Sequence, residues 1–123
     1  MSIDRARRAI ELFFEGFNAE DHERIRDAMN FPHVRIASGT IRVIETPEGF
    51  ETPFAALKRA EGWHHSTLDR AEVIHQGPEK VHFDVCFSRF LEDGSCYATH
   101  QAVWVVTRVG GQWGIQARSS FAP

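Results

Sequence analysis

Little in this chain ties it to a metal, a nucleic acid or a membrane. Only two cysteines occur, Cys86 and Cys96. They are expected on neighbouring strands but on opposite faces, Cys86 facing Gln101 and Cys96 facing Leu91, too far apart to bridge. Neither has C-x-x-C spacing, and the lack of a structural disulfide suits a reducing compartment. There is no H-E-x-x-H run and no Cys/His cluster, so neither a metal site nor a cofactor is expected. Charge of one sign does not accumulate. The 14 Lys and Arg are interspersed with 17 Asp and Glu, for a net charge of −3. A phosphate backbone calls for a basic stripe, so nucleic acid is not expected as a partner. No apolar run approaches a membrane span, and the N-terminus lacks a signal-peptide pattern. These absences point to a soluble, cytoplasmic protein. Repeats and linkers are also missing. The 123 residues read as a single domain over 1–123, long enough for one real core.

Aromatic residues are plentiful, with ten Phe and three Trp, and they cluster on periodic segments. Residues 80–91 alternate apolar and polar, the period of a strand with one buried face. Asp93-Gly94 and Gly110-Gly111 are hairpin-turn dipeptides, so residues 80–121 read as three antiparallel strands. The first turn places Val81 opposite Val106, Phe83 opposite Trp104, Val85 opposite Ala102 and Phe87 opposite His100. The second places Val106 opposite Ile115, Trp104 opposite Ala117, Ala102 opposite Ser119 and His100 opposite Phe121. Both registers agree on one apolar face, and a slip by one residue would turn that whole set outward.

The face contains a gap. Ala98, Ala102, Ala117 and Ser119 are small and adjacent, with His100 among them. Interiors pack to crystal-like density, so small residues there mean close helix packing or a cavity for a ligand. On the opposite face Asp84 and Arg118 flank Val103 and are expected to pair. With Val103, Val105 and Phe90 that face suits an isologous dimer contact.

The N-terminal part is helical. Ile3, Ala6, Ile10, Phe13 and Phe17 keep helical spacing from Ser2 to about Asn18. Asp21 caps a short second helix carrying Ile25, Ala28 and Met29. Residues 33–46 read as a hairpin turning at Ser38-Gly39, with Val34, Ile36, Ile41 and Val43 buried and Arg35 opposite Arg42 on the other face. Thr46-Pro47 and Thr52-Pro53 are helix-start signals for a broken third helix ending at Gly62. A long strand, His64–His75, follows.

This order of helix, helix, hairpin, helix and four long strands resembles the NTF2-like superfamily. So do the segments Phe14-Glu-Gly-Phe17-Asn18-Ala-Glu-Asp21, Phe31-Pro-His33-Val-Arg35, Trp63-His-His65 and Gly111-Gln-Trp113-Gly-Ile115. The similarity is nearest to the SnoaL-like and ketosteroid-isomerase-like branch. It implies an α+β, cystatin-like cone: a strongly curved antiparallel sheet wrapped around three N-terminal helices, with an internal apolar pocket. It also implies dimers through the sheet. Ketosteroid isomerases place an Asp base on the strand after the second helix and a Tyr on the first helix. The matching positions here, 33–38 and Phe13, Phe14 and Phe17, offer neither. The only tyrosine, Tyr97, is expected on the outer sheet face.

His100 is the titratable group on the apolar face and the candidate general acid or base. His65 and Asp69 share a face of the preceding strand and would join it if that face is inward; a core or surface role competes in each case. Phe13, Phe17, Trp63, Phe87, Ala102, Trp104, Ala117 and Ser119 are the expected ligand-binding residues. Two readings stand side by side. In the first the chain binds a small apolar molecule, as a cofactor-independent isomerase, cyclase or dehydratase. In the second it is a non-catalytic dimeric module whose cavity is filled by Phe13, Phe17 and Trp104.

Overall fold

The computed structural model describes residues 2–122. Helix α1 is Ser2–Asn18 and α2 is His22–Asp27, capped by the Asp21 carboxylate, which accepts from Arg24 N. Strands β1 (Met29–Ala37) and β2 (Thr40–Ile44) form a hairpin. A 3-10 turn at Pro47–Gly49 precedes α3 (Phe54–Glu61), and Gly62 closes α3 in the left-handed conformation. Strands β3 (His65–Gln76), β4 (Lys80–Phe90), β5 (Cys96–Val109) and β6 (Gln112–Ser120) complete the chain.

All six strands join one sheet in the order β2-β1-β6-β5-β4-β3. The sheet is mixed, not wholly antiparallel as expected, because β1 runs parallel to β6. Ile115 N donates to Ala28 O at the start of that pairing. The approach is tight at Gly114: a Cβ there would stand 2.8 Å from the Met29 carbonyl carbon and from Asn30. Only glycine lets the two strands close. Asn30 Nδ2 fills the junction, donating to Thr107 O at 2.9 Å and Thr107 Oγ1 at 3.0 Å.

The apolar stripe of α1 lies on the inner sheet face. Ala6, Ala9, Ile10, Phe13 and Phe14 pack with Val81, Phe83, Val85, Trp104, Val106 and Ile115 in the main core. Burying a side chain of this size stabilises the fold by about 1.5–3 kcal/mol. The β4–β5 register is as expected, from Val81–Val106 through Phe87–His100.

Three departures from the expected layout bear on function. First, β6 carries a bulge. Val106 pairs with Ile115 as expected, but Val105 pairs with Ala117, so Gln116 is extra. One inserted residue reverses the facing of everything after it. Arg118 and Ser120 therefore turn inward, while Ala117 and Ser119 turn outward and Phe121 is 79% exposed. The expected pair of Asp84 with Arg118 does not form; Asp84 pairs with Arg70 at 3.2 Å. Second, the β1–β2 hairpin has the expected partners but opposite faces. Ile36, Ile41 and Val43 are exposed, and Arg35 and Arg42 face a cleft. Arg35 lies beside Arg118 in the β1–β6 ladder, so the bulge and the hairpin orientation agree. Third, a bulge near the β4–β5 turn pairs Phe90, not Leu91, with Cys96. It leaves Tyr97 packed against the core, its hydroxyl donating to Glu61 at 2.6 Å, not on the outer face. Both cysteines are free thiols.

Candidate functional site: an arginine-lined cleft

The pocket is built where the end of α1 meets the far ends of β1, β4 and β6. Helical spacing brings Phe13, Phe14 and Phe17 to one wall. Phe87 and Trp104 come from the alternating faces of β4 and β5. Trp104 stacks on Phe14 at 5.4 Å and meets Phe13 edge-on at 5.1 Å. Ser66 closes another side. The Asn18 side chain holds its backbone, donating to Ser66 O at 2.7 Å and accepting from Ser66 N at 2.8 Å. Ser120 and Ala122 supply the small residues that leave the space open.

The chamber has a volume of about 40 Å³. A water needs roughly 10–15 Å³ measured this way, so the chamber holds a few waters or one small polar group. It cannot hold the body of a polycyclic ligand. A wider vestibule of about 240 Å³ adjoins it, with Phe50, Pro53 and Leu57 among its walls. Phe17, Arg35, Arg89 and Arg118 line both spaces, so chamber and vestibule form one cleft.

Arg118 is the centre of that cleft. Its guanidinium carbon lies 4.9 Å over the Phe13 ring and 5.7 Å over Trp104. Its Nε donates to His33 Nε2 at 3.0 Å. His33 is completely buried, and its Nδ1 is 3.1 Å from Ile115 O. A carbonyl only accepts, so Nδ1 carries the proton and Nε2 presents its lone pair to Arg118. Burial, and then the charge of Arg118, push His33 down to about 3, so it is neutral at pH 7. Burial, and then Arg35 and Arg42, lower Arg118 to about 9, which leaves it charged. The area that Arg118 still exposes faces the cleft it lines. Burial also lowers Arg35, helped by Arg89 and Arg42. Arg89 is 8% exposed and donates to Glu61 at 3.0 and 3.2 Å.

His33 makes the fold acid-sensitive. Unfolded, it takes up a proton near 6.5; folded, it resists protonation until about 3. The unfolded state therefore binds more protons across that window, and stability is lost as pH falls through it. From pH 6.5 to 5 this group alone removes about 1.5 kcal/mol, the slope rising towards 1.36 kcal/mol per pH unit as the unfolded imidazole becomes fully protonated. His33→Gln can keep both hydrogen bonds but does not titrate. Urea unfolding at pH 7 and pH 5 is expected to show a smaller decline in His33→Gln than in the natural chain. Equal declines would assign the acid sensitivity to other groups.

The structure gathers some of the expected residues and scatters others. Phe13, Phe17, Phe87 and Trp104 line the chamber. Trp63 sits behind it, 2% exposed, edge-on to Phe17, tilted against Phe54 and donating to Ser66 Oγ at 2.9 Å. Ala102 is buried opposite Ser120, whereas Ala117 and Ser119 lie on the outer face. His100 is half-buried, its ring 5.3 Å from Phe87, but it does not line the chamber. Burial, then Arg89, lower its pKa. His65 stacks on Phe90 at 4.8 Å, with Nδ1 3.0 Å from His64 Nδ1. His64 precedes β3, so strand alternation does not separate the two rings as expected. Asp69 is exposed at a β3 bulge and accepts from Thr67 and Ser88 on the outer face. His65, Asp69 and His100 are therefore not one cluster. Arg89 and Arg118 as pocket-formers were missed, and His33, expected either at a cavity mouth or at a solvated strand start, is instead buried behind Arg118. The one legible hint was the like-charged pair Arg35 and Arg42, which sits awkwardly on a solvated face. No group of three or more His, Cys, Asp or Glu is placed to hold a metal ion among the described residues. No helix among them is long and apolar enough to cross a membrane.

A curved sheet folded over N-terminal helices, with a cleft at its open end, defines the NTF2-like, cystatin-like class. Within that class the chain belongs to the family described as NTF2-like protein (DUF6841), whose model matches residues 4–120. A cystatin-like-fold protein of unknown function from Nostoc punctiforme is similar at TM-score 0.78 and 14% identity, over 97% of this chain and 89% of that one. A candidate ketosteroid isomerase from Shewanella frigidimarina aligns at TM-score 0.72 and 11% identity, over 94% of each chain. A candidate aromatic ring hydroxylase from Novosphingobium aromaticivorans aligns at TM-score 0.72 and 14% identity, over 98% of this chain and 90% of that one. At such identities the likeness is one of fold. No curated protein matches the sequence.

Proposed function

We propose that this protein binds a small organic molecule with an aromatic or aliphatic body in the cleft between α1, the segment before α3 and the inner sheet face. The observation that carries the reading is the wall of Phe13, Phe14, Phe17, Phe87 and Trp104 around space that the core leaves open. Interiors normally fill such space, and ligand sites are apolar clefts with a few placed polar groups. A second reading adds acid–base chemistry on that ligand, as in an isomerase, cyclase or dehydratase. It rests on His100, whose ring meets Phe87 at the chamber wall. His65 and Asp69 would act only on a ligand at the outer face. Two copies are proposed to pair through that face, where Ile36, Ile41, Val43 and Val103 form exposed apolar surface.

The test is a thermal-shift screen with small aromatic and aliphatic compounds, run on the natural chain and on Leu57→Arg, which fills the vestibule. A ligand at a hundredfold its dissociation constant adds about 2.7 kcal/mol. The expected result is a rise of several degrees in the natural chain that is lost in Leu57→Arg. Hits that persist undiminished in Leu57→Arg would place binding elsewhere and sink the proposal.

A further inference from the structure

We propose that the cleft is an anion site: its ligand carries a carboxylate that seats in the inner chamber against Arg118, with its apolar body in the vestibule. This rests on the pocket reading above and names the chemistry that reading leaves open.

The chain is net acidic at −3, yet Arg35, Arg42, Arg89 and Arg118 converge on one cleft. Two carboxylates lie near them: Glu61 pairs with Arg89, and Glu51 lines the vestibule. Among the described residues neither Arg118 nor Arg42 has a carboxylate within 4 Å. A buried charge without a partner is costly and persists where something else answers it. Neutral His33 orients Arg118 without offsetting its charge.

His33 occupies only Nε of Arg118, which leaves the two terminal amino groups of the fork beside the chamber. A planar carboxylate is the group that accepts from a guanidinium fork in two parallel bonds.

The chamber of about 40 Å³ admits a carboxylate but not an aryl ring. Phe50, Pro53 and Leu57 give the adjoining vestibule apolar walls for the remainder. Arg118 is thus a binding residue and His33 a positioning residue acting through it.

Isothermal titration of the natural chain with benzoate, phenylacetate and hexanoate, each beside its primary amide and beside acetate, tests this. The carboxylates are expected to bind roughly 10- to 100-fold more tightly than their amides, the worth of a hydrogen bond to a charged group. Arg118→Met should erase that preference, and acetate should bind far more weakly than phenylacetate. Amides binding as well as the acids would overturn the anion site while leaving the pocket reading intact. Absence of binding by acids and amides alike would sink both. An acid preference surviving in Arg118→Met would move the anion away from Arg118 and overturn the assignment. Acetate matching phenylacetate would overturn the placement of the body in the vestibule. The acid–amide comparison in the natural chain does not depend on any variant folding.

Discussion

Arg118→Met is expected to make the protein more stable, by about 1–3 kcal/mol, although it removes a well-packed side chain. Replacing a buried charge that has no carboxylate partner by an apolar residue of similar length is often neutral or stabilising by this order. The Arg118 guanidinium sits between the Phe13 and Trp104 rings, and its one hydrogen bond among the described residues goes to a neutral imidazole. Three forces meet there. Burial of the charge and the nearby positive charges of Arg35 and Arg42 disfavour it, as its lowered pKa reflects. The ring contacts favour it, each by about 0.5–2 kcal/mol. Methionine retains much of the packing, since its thioether also sits well against aromatic rings. It leaves His33 Nε2 without a donor, a cost of about 1–3 kcal/mol that sets the lower end of the gain. Urea unfolding at pH 7 should show the midpoint rising with an unchanged slope. A midpoint that falls by more than 1 kcal/mol would mean that the ring contacts and the His33 bond outweigh the desolvation. Arg118 would then be a structural residue first. A gain in stability with loss of anion binding is what a functional residue held at the expense of the fold shows.

The largest loss is expected at Trp104→Ala, about 3–5 kcal/mol, the usual range for deleting a buried aromatic side chain. Trp104 is 3% exposed and touches Phe13, Phe14 and Phe87, each ring within 6.5 Å. Its loss removes contacts from α1 and β4 together and takes away one of the two faces beneath Arg118. The vacated space joins the existing chamber, so the variant should admit an indole-sized guest, as apolar engineered cavities do. Added indole is expected to raise the melting temperature of Trp104→Ala by more than that of the natural chain. Destabilisation without rescue by indole would mean that α1 collapses onto β5 and closes the cavity. A cost below 1 kcal/mol would contradict the placement of Trp104 at the junction of helix and sheet.

Both expectations turn on residues of very different legibility. Trp104 was readable as a core residue because strand alternation and a two-residue turn place it opposite Phe83, and it is there. Arg118 was read as an outward partner of Asp84, because the same alternation was extended past Ile115 without a break. One extra residue at Gln116 reversed it. No local composition marks that bulge: Gln116 is neither glycine nor proline, and the strand continues through it. The hairpin of β1 and β2 shows the same limit. Its partners follow from the Ser38-Gly39 turn, whereas its facing depends on β6, more than seventy residues away. Val34, Ile36, Ile41 and Val43 look like a buried set by period alone, but β1 and β2 form the far edge of the sheet and three of the four are exposed.

The sequence alone determined the order of the elements, though not that Met29 leaves the second helix for β1, together with the cap at Asp21, the β4–β5 register, the aromatic stripe of α1 and the NTF2-like class. These depend on interactions between near neighbours or on a periodicity repeated often enough to outweigh a local exception. Only the tertiary structure decided that β1 joins β6 in parallel, that Arg35, Arg89 and Arg118 share a cleft, and that His33 anchors the last of them. Those outcomes rest on long-range strand pairing and on the phase of a single bulge. A period of two carries no memory of phase once one residue is inserted.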